Sequence, residues 1–389
     1  MKIRLLFLIL YILIVCLMPQ DIHPCTIFCL DKGDQLLVGF NFDWFVDDGF
    51  VCVNKRNVTK TAFLLKGHKK ETDNPLRWTS KFGSVTFGVH EFPIGGMNET
   101  GLVIFRLALM KSKYPVTDTR PVVSQPQWTQ HHLDNCSTID EVLASDKQIW
   151  IPEPELKRTV NGHYFLCDRT GNCAVIEFLD GKLTYHTKET LPVKALANIT
   201  YRESIEFWKE GKLPTPNPGY SAQRFVAVAD MTKKYNVKNS KPAVDYAFDM
   251  LTNVSQGTIE EIDGVRVRSP LATVWNIVFD IKNLRIYLRT FENPKIRYIN
   301  VNSFDFSCKT PVKVLDIQAE LSGDVTSKFI DYNYKLNREL FKKINVFGFS
   351  DEQEDIHGKY PETTICTEVI FTTTIRDTDQ KAKIINTIE

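Results

Sequence analysis

The stretch from Cys25 to Trp44 restricts the fold of this chain more than any other. Thr26, Phe28 and Leu30 alternate with Ile27 and Cys29; Asp31-Lys32-Gly33-Asp34 supplies a turn; Leu36-Leu37-Val38-Gly39 runs back. Period-two alternation on both sides of a turn signal predicts a β-hairpin. Such a hairpin carries Asp43, just beyond the returning strand, back towards Cys25.

What precedes Cys25 gives that residue its interest. Lys2 and Arg4 followed by the apolar run Leu5 to Met18 read as a signal peptide, and the run is short for a bilayer span. Residues 1–24 are thus expected to be a removable leader and 25–389 a single domain. No small-x-small cleavage pattern stands before Cys25, and Pro24 precedes it directly. We expect a cut inside the leader, then trimming or self-cleavage to expose Cys25. A lipoprotein route through Cys16 is disfavoured by Val15. A thiol that is also an N-terminus carries its own base. A free α-amino group titrates near about 7.7–8.0, close to working pH, and can take the thiol proton without a histidine. The competing reading of Cys25 is a buried structural thiol or half of a disulfide. Pairing with Cys29 is excluded within one strand, since four residues separate the Cα atoms by about 13 Å against a disulfide limit of about 7 Å.

The remaining cysteines are 29, 52, 136, 167, 173, 308 and 366, once Cys16 is removed and Cys25 set aside from the total of nine. Cys167 and Cys173 flank Asp168-Arg169-Thr170-Gly171 and face each other if that turn closes a hairpin. No metal-ligand spacing is evident, and His131-His132 reads as a solvated pair. Neither metal nor cofactor is expected. With 48 basic and 47 acidic residues the net charge is +1, which gives no reason to expect nucleic acid or an anionic membrane as partner. Asn57, Asn98, Asn135, Asn198 and Asn253 each open an N-x-S/T sequon.

Further on, strand-like runs occupy Ala62–Leu65 and Val85–Val89. Phe92 to Ile104 reads as strand–turn–strand, with Gly95 and Gly96 marking close backbone approach and Gly101 a turn. Thr138 and Glu141 fit a capping box opening a helix. His163 to Phe178 is a hairpin, followed by a short strand at Lys182–His186. Helices are expected at about Arg202–Lys209, Ser221–Tyr235, Pro242–Thr252 and 329–345. Ala272–Asp280 pairs with Arg285–Arg289, a strand follows at Ile296–Val301, and 363–376 reads as the last strand. Periodicity alone yields an α+β protein.

The run CTIFCLDKGDQLLVGFNFDW resembles the mature N-terminus of the choloylglycine hydrolase family, the N-terminal-nucleophile (Ntn) amidases that include bile salt hydrolases and penicillin V acylases. The segment Asn98-Glu99-Thr100-Gly101-Leu102 is similar to one that walls the family's site. The resemblance implies a four-layer αββα sandwich, two antiparallel sheets between helices. It implies Cys25 as nucleophile and Asp43 as the residue orienting its amine. Asn198, in Leu196-Ala197-Asn198, falls on the asparagine that points at the oxyanion, although alone it reads equally as a turn residue capping the next helix. Arg224, in Ser221-Ala222-Gln223-Arg224-Phe225, falls on a buried arginine near the nucleophile, and we expect it to pair with Asp43. Two positions depart from the family. Phe40 stands where bile salt hydrolases carry arginine in G-R-N-x-D, and Ala108 stands where they carry a second asparagine or a tyrosine near the oxyanion. Arg106 is one candidate to fill that place.

The expected activity is an exported hydrolase of linear, non-peptide amide C–N bonds acting through an acyl-enzyme. Its substrate would be a small N-acyl amide such as a conjugated bile salt, penicillin V or a relative. The compartment would be periplasmic or extracellular, or lysosome-like or cell-surface in a eukaryote, with no stable membrane span after leader removal; a homo-oligomer is left open. Alternatives are an acyltransferase on the same site, or a non-catalytic binding or envelope protein in which Cys25 stays blocked by Pro24.

Overall fold

The first hairpin forms as its alternation requires. Thr26–Lys32 pairs antiparallel with Gln35–Trp44 from Thr26↔Asn41 to Lys32↔Gln35, which leaves Gly33-Asp34 as a two-residue turn. Gly33 takes a positive φ of 61°, the conformation that tight hairpin turns demand. In the computed structural model the residues described are 25–62, 74–89, 92–115, 119–152, 161–211, 219–238, 241–257, 259–262, 265–269, 271–333, 335–336, 338–340 and 365–366. The leader lies outside them.

Both arms of the hairpin sit inside a seven-stranded sheet. Its spatial order is Ala195–Leu196, Thr26–Lys32, Gln35–Trp44, Ala272–Asp280, Arg285–Thr290, Arg297–Asn300 and Gly323–Asp324. Every pairing is antiparallel except the last, Arg297–Asn300 with Gly323–Asp324. A nine-stranded sheet faces it, in the order Lys182–Thr187, Cys173–Leu179, Gly162–Cys167, Val103–Ala108, Phe92–Asn98, Ser84–Val89, Phe50–Asn54, Lys313–Asp316 and Ile330–Asp331. Side chains at every second position interdigitate between the sheets. Phe40 meets Phe105 with ring centroids 4.2 Å apart, and Phe87 meets Phe279 edge-on at 5.9 Å.

Helices close the two outer faces. Over the nine-stranded sheet lie α1 (Gln125–Asn135) and α2 (Ile139–Ser145), burying Trp128, Leu133, Ile139 and Val142 against Ile104, Tyr164, Leu166 and Ile176. Over the seven-stranded sheet lie α3 (Tyr201–Lys209), α4 (Ser221–Lys234) and α5 (Ala243–Asn253). Asn41 Nδ2 donates to the Leu251 carbonyl of α5 at 2.8 Å, pinning that layer to the first hairpin. The result is the expected αββα sandwich.

Several local expectations change. Helix α1 breaks the apolar period with Gln125, Gln127, Gln130, His132 and Asp134, all buried. His132 is therefore not solvated. Its Nδ1 contacts the Trp128 carbonyl at 2.8 Å and its Nε2 the Ser145 hydroxyl at 2.6 Å, and burial pushes it down to about 4. Asp134 on the same helix takes Lys60, Trp78 and Gln130 as donors, each at 2.7 Å. Asn98 does not face Cys25. Its Nδ2 donates to the Leu133 and Cys136 carbonyls at 2.9 and 2.8 Å and its Oδ1 accepts from the Leu102 amide, which ties the strand–turn–strand to the end of α1.

The strand near residue 62 is Val58–Thr61, and residues 63–65 lie outside the described ones. In the expected helix 329–345, Ile330–Asp331 is instead strand; residues 335–336 and 338–340 are helical, and the rest lie outside the described residues. Of 363–376, Ile365–Cys366 is described, pairs with Val58–Thr59, and carries a disulfide from Cys366 to Cys308.

Gly39 stands opposite Phe28 on the paired strand, and a Cβ there would lie 2.4 Å from the buried Phe28 ring. Gly39→Val should destabilise the protein by about 1–3 kcal/mol through overpacking. Urea unfolding reads this directly; an unchanged midpoint would show that the ring can move aside.

Candidate active site

Cys25 stands at the head of the first strand, buried, with Sγ 3.9 Å from the backbone carbonyl of Asp43. The hairpin register alone produces this meeting. Asp43 is fully buried, and one extra residue on the neighbouring strand supplies its partner. Between Trp275↔Phe42 and Thr273↔Asp43 the ladder skips Val274. This β-bulge reverses the alternation, so Trp275 packs on Phe42 at 4.7 Å while Thr273, two residues earlier, reaches Asp43 on the opposite face. The Thr273 hydroxyl donates to Asp43 Oδ1.

Asp43 Oδ2, buried as well, has no hydrogen-bond partner. Burial raises the carboxyl to about 7, against the pull of the Arg224 charge and the Thr273 hydroxyl. Burial, then the Asp43 charge, pushes the Cys25 thiol up to about 12, although Arg224 and Arg106 act through space in the other direction. A thiol so placed, with its nitrogen still in a peptide bond to Pro24, stays protonated at neutral pH.

Asn198 follows the short strand Ala195–Leu196, which pairs with Ile27 and Phe28 and so lies beside the start of the first strand. Its side chain is fixed from two sides: Oδ1 accepts from Arg224 Nη2 at 2.9 Å, and Nδ2 donates to the Ala108 carbonyl at 2.9 Å. An amide NH2 has two hydrogens, and one is used in that bond. Asn198 does not cap α3. Thr200 does, accepting from the Glu203 amide at 3.3 Å while the Glu203 carboxylate returns to the Thr200 amide at 3.1 Å.

Arg224 is buried, as expected, but its partners differ from those expected. Nε donates to the Thr26 hydroxyl at 2.9 Å, Nη1 to the Gly219 carbonyl at 2.6 Å, and Nη2 to Asn198 and to the Ser221 hydroxyl at 3.1 Å. Its effect on Asp43 is through space, with no hydrogen bond between the two. Neutral oxygens fill the guanidinium fork, so the residue acts as a clamp on Asn198 more than as an ion-pair partner.

The structure therefore brings Cys25, Asp43, Asn198 and Arg224 to one end of the sandwich. Thr26 and Thr273, which the sequence reading did not single out, join them. Strand alternation places Thr26 on the face opposite Cys25; Thr273 lies far away in sequence and depends on a bulge that no motif announces. Arg106 lies close enough to Tyr114 and Tyr164 for its charge to pull both down, on the side of the sheet covered by α1. Ala108 takes part through its carbonyl. Contrary to the spacing argument, Cys29, Cys167 and Cys173 bring three sulfurs within 4.8 Å of one another, away from this cluster.

Residues 25–199 match the family described as linear amide C–N hydrolases, choloylglycine hydrolase family. The chain belongs to that family. It is 27% identical over 267 residues to penicillin V acylase of Pectobacterium atrosepticum, spanning 60% of this chain and 69% of that one. The solved penicillin V acylase of Agrobacterium tumefaciens superposes with a TM-score of 0.64 at 25% identity, over 79% of this chain and 98% of its own. A variant of conjugated bile acid hydrolase from Clostridium perfringens shares the fold, with TM-score 0.61 at 20% identity over 77% and 98% of the two chains. As a choloylglycine hydrolase family member the protein is an Ntn hydrolase of linear amide C–N bonds. Among the described residues no helix is long and apolar enough to cross a membrane.

The Asp43 carboxyl has a direct consequence for stability. Between its ordinary value of 3.8 and about 7 the folded chain holds a proton that the unfolded chain has lost. Stability contributed by that proton is complete below pH 4 and declines as pH rises to 7. In the uncut chain the decline should reach on the order of a few kcal/mol, and Asp43→Asn should flatten it. Urea unfolding at several pH values compares the slopes; equal slopes in the two proteins would remove Asp43 as the source.

Proposed function

We propose that the mature protein hydrolyses a small N-acyl amide with Cys25 as an N-terminal nucleophile, and that its acyl site prefers apolar or aromatic groups. The observation carrying the mechanism is the unpartnered Asp43 Oδ2, buried beside a thiol that burial has made inert. A buried carboxylate oxygen requires a donor. Breaking the Pro24–Cys25 bond creates one, the α-ammonium of Cys25, which also offsets the carboxylate charge and supplies the base that the thiol lacks.

The steps follow from these groups. The α-amine takes the proton of Cys25 Sγ, and the sulfur attacks the substrate carbonyl carbon. The carbonyl oxygen gains the negative charge, and the second Nδ2 hydrogen of Asn198, held by Arg224 and the Ala108 carbonyl, donates to it. The intermediate collapses as the C–N bond breaks, and the α-ammonium gives its proton to the leaving amine. Water, deprotonated by the same amine, attacks the thioester and releases the acid and the free thiol.

The preference for an apolar acyl group rests on Phe40 and its neighbours. Where an arginine is expected near the thiol, Phe40 stacks into the core, and an aromatic series continues through Phe42, Trp275, Trp44 and Phe45 at centroid separations of 4.6–6.3 Å. Trp44 and Phe45 are half-buried and are the members of this series left open to a substrate. Hydrolysis of penicillin V or a conjugated bile salt is a reading of this kind, favoured by the penicillin V acylase relatives.

Incubating the mature protein with a phenoxyacetyl or long-chain N-acyl amide should leave an acyl adduct on Cys25, visible by mass spectrometry after acid quench. Cys25→Ser should nearly abolish turnover with the fold intact. Full activity in Cys25→Ala, or in a chain still carrying Pro24, would overturn the assignment. Asn198→Ala should lower kcat by about two to three powers of ten with less change in KM. Arg224→Lys keeps the charge and loses the fork, so it should reproduce part of that kcat loss; wild-type kcat in Arg224→Lys would remove the clamp role.

A further inference from the structure

Three thiols meet in the layer between the sheets, away from the proposed nucleophile. Cys29 belongs to the first strand; Cys167 and Cys173 are directly opposed on the hairpin of the facing sheet. Cys167 Sγ lies 3.7 Å from Cys29 Sγ and 2.8 Å from Cys173 Sγ, and all three residues are buried. Cys29 also borders a cavity of about 560 Å³ whose wall includes Lys194, Trp208, Val226 and Lys233. Lys194, tied to Asp31 Oδ2 at 2.6 Å and the Gly171 carbonyl at 2.8 Å, sets a positive charge near the cluster.

We propose that Cys167 and Cys173 form a disulfide, and that Cys29 is the entry thiol through which a small-molecule disulfide oxidises them. Contacts from Cys167, then Cys173, hold the Cys29 thiol down to about 5, with the Lys194 charge acting the same way, while burial raises both partners. Cys29 is thus the thiolate of the three and the attacking group. Its sulfur attacks one sulfur of the oxidant, giving a mixed disulfide and one released thiolate. Cys167 attacks the Cys29 sulfur, displacing the second thiolate. Cys173 then attacks Cys167 and returns Cys29 to its reduced form. Two protein thiols lose two electrons and two protons, and one small disulfide becomes two thiols.

A metal fits the cluster less well. Thiolates bound to one zinc at about 2.3 Å stand about 3.8 Å apart, wider than the Cys167–Cys173 contact. Three buried thiolates would also leave charge that Lys194 alone must offset, whereas the disulfide is neutral.

The test exposes the folded, reduced mature protein to excess oxidised glutathione, then quenches with an alkylating reagent in denaturant. Trypsin cuts after Arg169, so peptides carrying Cys167 and Cys173 stay together only through a disulfide. The expected result is a Cys167–Cys173 link, an alkylated Cys29, and an early glutathione adduct on Cys29 that decays as the link forms. Cys29→Ser should slow the link at least ten-fold. Three alkylated thiols, a persistent Cys29 adduct, or stoichiometric zinc or copper on three free thiols would overturn the disulfide. A link that forms at the wild-type rate in Cys29→Ser, or with no adduct preceding it, would overturn the entry role. If Cys29→Ser does not fold, the wild-type adduct time course decides that point.

Discussion

A carboxylate held out of water with one of its two oxygens unsatisfied is the constraint on which the reactive end of this molecule depends. Asp43 can be there because the hairpin carries it, because a one-residue bulge turns Thr273 onto Oδ1, and because the Arg224 charge lies near without bonding to it. None of these removes the cost of burial, which is why the carboxyl keeps its proton up to about 7. The same desolvation holds the Cys25 thiol protonated. Two acids that each resist ionisation sit side by side, and a single cation between them would relieve both. On the reading offered above, that cation is the amine at the start of the mature chain.

Arg224 shows how a buried charge can serve a neutral group. Its donors go to Thr26, Asn198, Ser221 and a main-chain carbonyl, so its directional bonding fixes an amide that needs to be aimed. A buried guanidinium satisfied by neutral oxygens retains a field that reaches Cys25 and Asp43 without capturing either in an ion pair. An oxyanion donor gains from that arrangement, since a rigid amide costs no reorganisation when the charge arrives.

The sequence was informative wherever period and turn chemistry agreed. The Cys25–Trp44 hairpin, the Cys167/Cys173 hairpin, the Thr138 and Thr200 caps and the helix bearing Arg224 all follow from local rules, and the αββα order came with the family resemblance. What stayed hidden was non-local or broke the period. Helix α1 buries glutamines, a histidine and an aspartate that a hydrophobic pattern discards. Thr273 reaches Asp43 through an inserted residue, and an insertion in a strand leaves no signature when Val274 is as apolar as its neighbours. The Arg224–Asp43 pairing failed for a simpler reason. Opposite charges were matched by sign, whereas the geometry offered the guanidinium enough neutral acceptors to be satisfied without the carboxylate. The three-sulfur cluster escaped a spacing argument because its members come from two sheets.

The first strand has hydrogen-bonded neighbours on both sides, Ala195–Leu196 on one and Gln35–Trp44 on the other, and its ladder begins at Thr26. A cut just ahead of Cys25 therefore severs no rung. The new chain end is gripped from its second residue onward, and Thr26 itself is bonded to Arg224. Activation by proteolysis usually asks a protein to move; here the scissile bond lies at the margin of a finished scaffold. The precursor and the mature enzyme can share one framework, and the cut changes the chemistry of a single nitrogen while leaving the architecture around it in place.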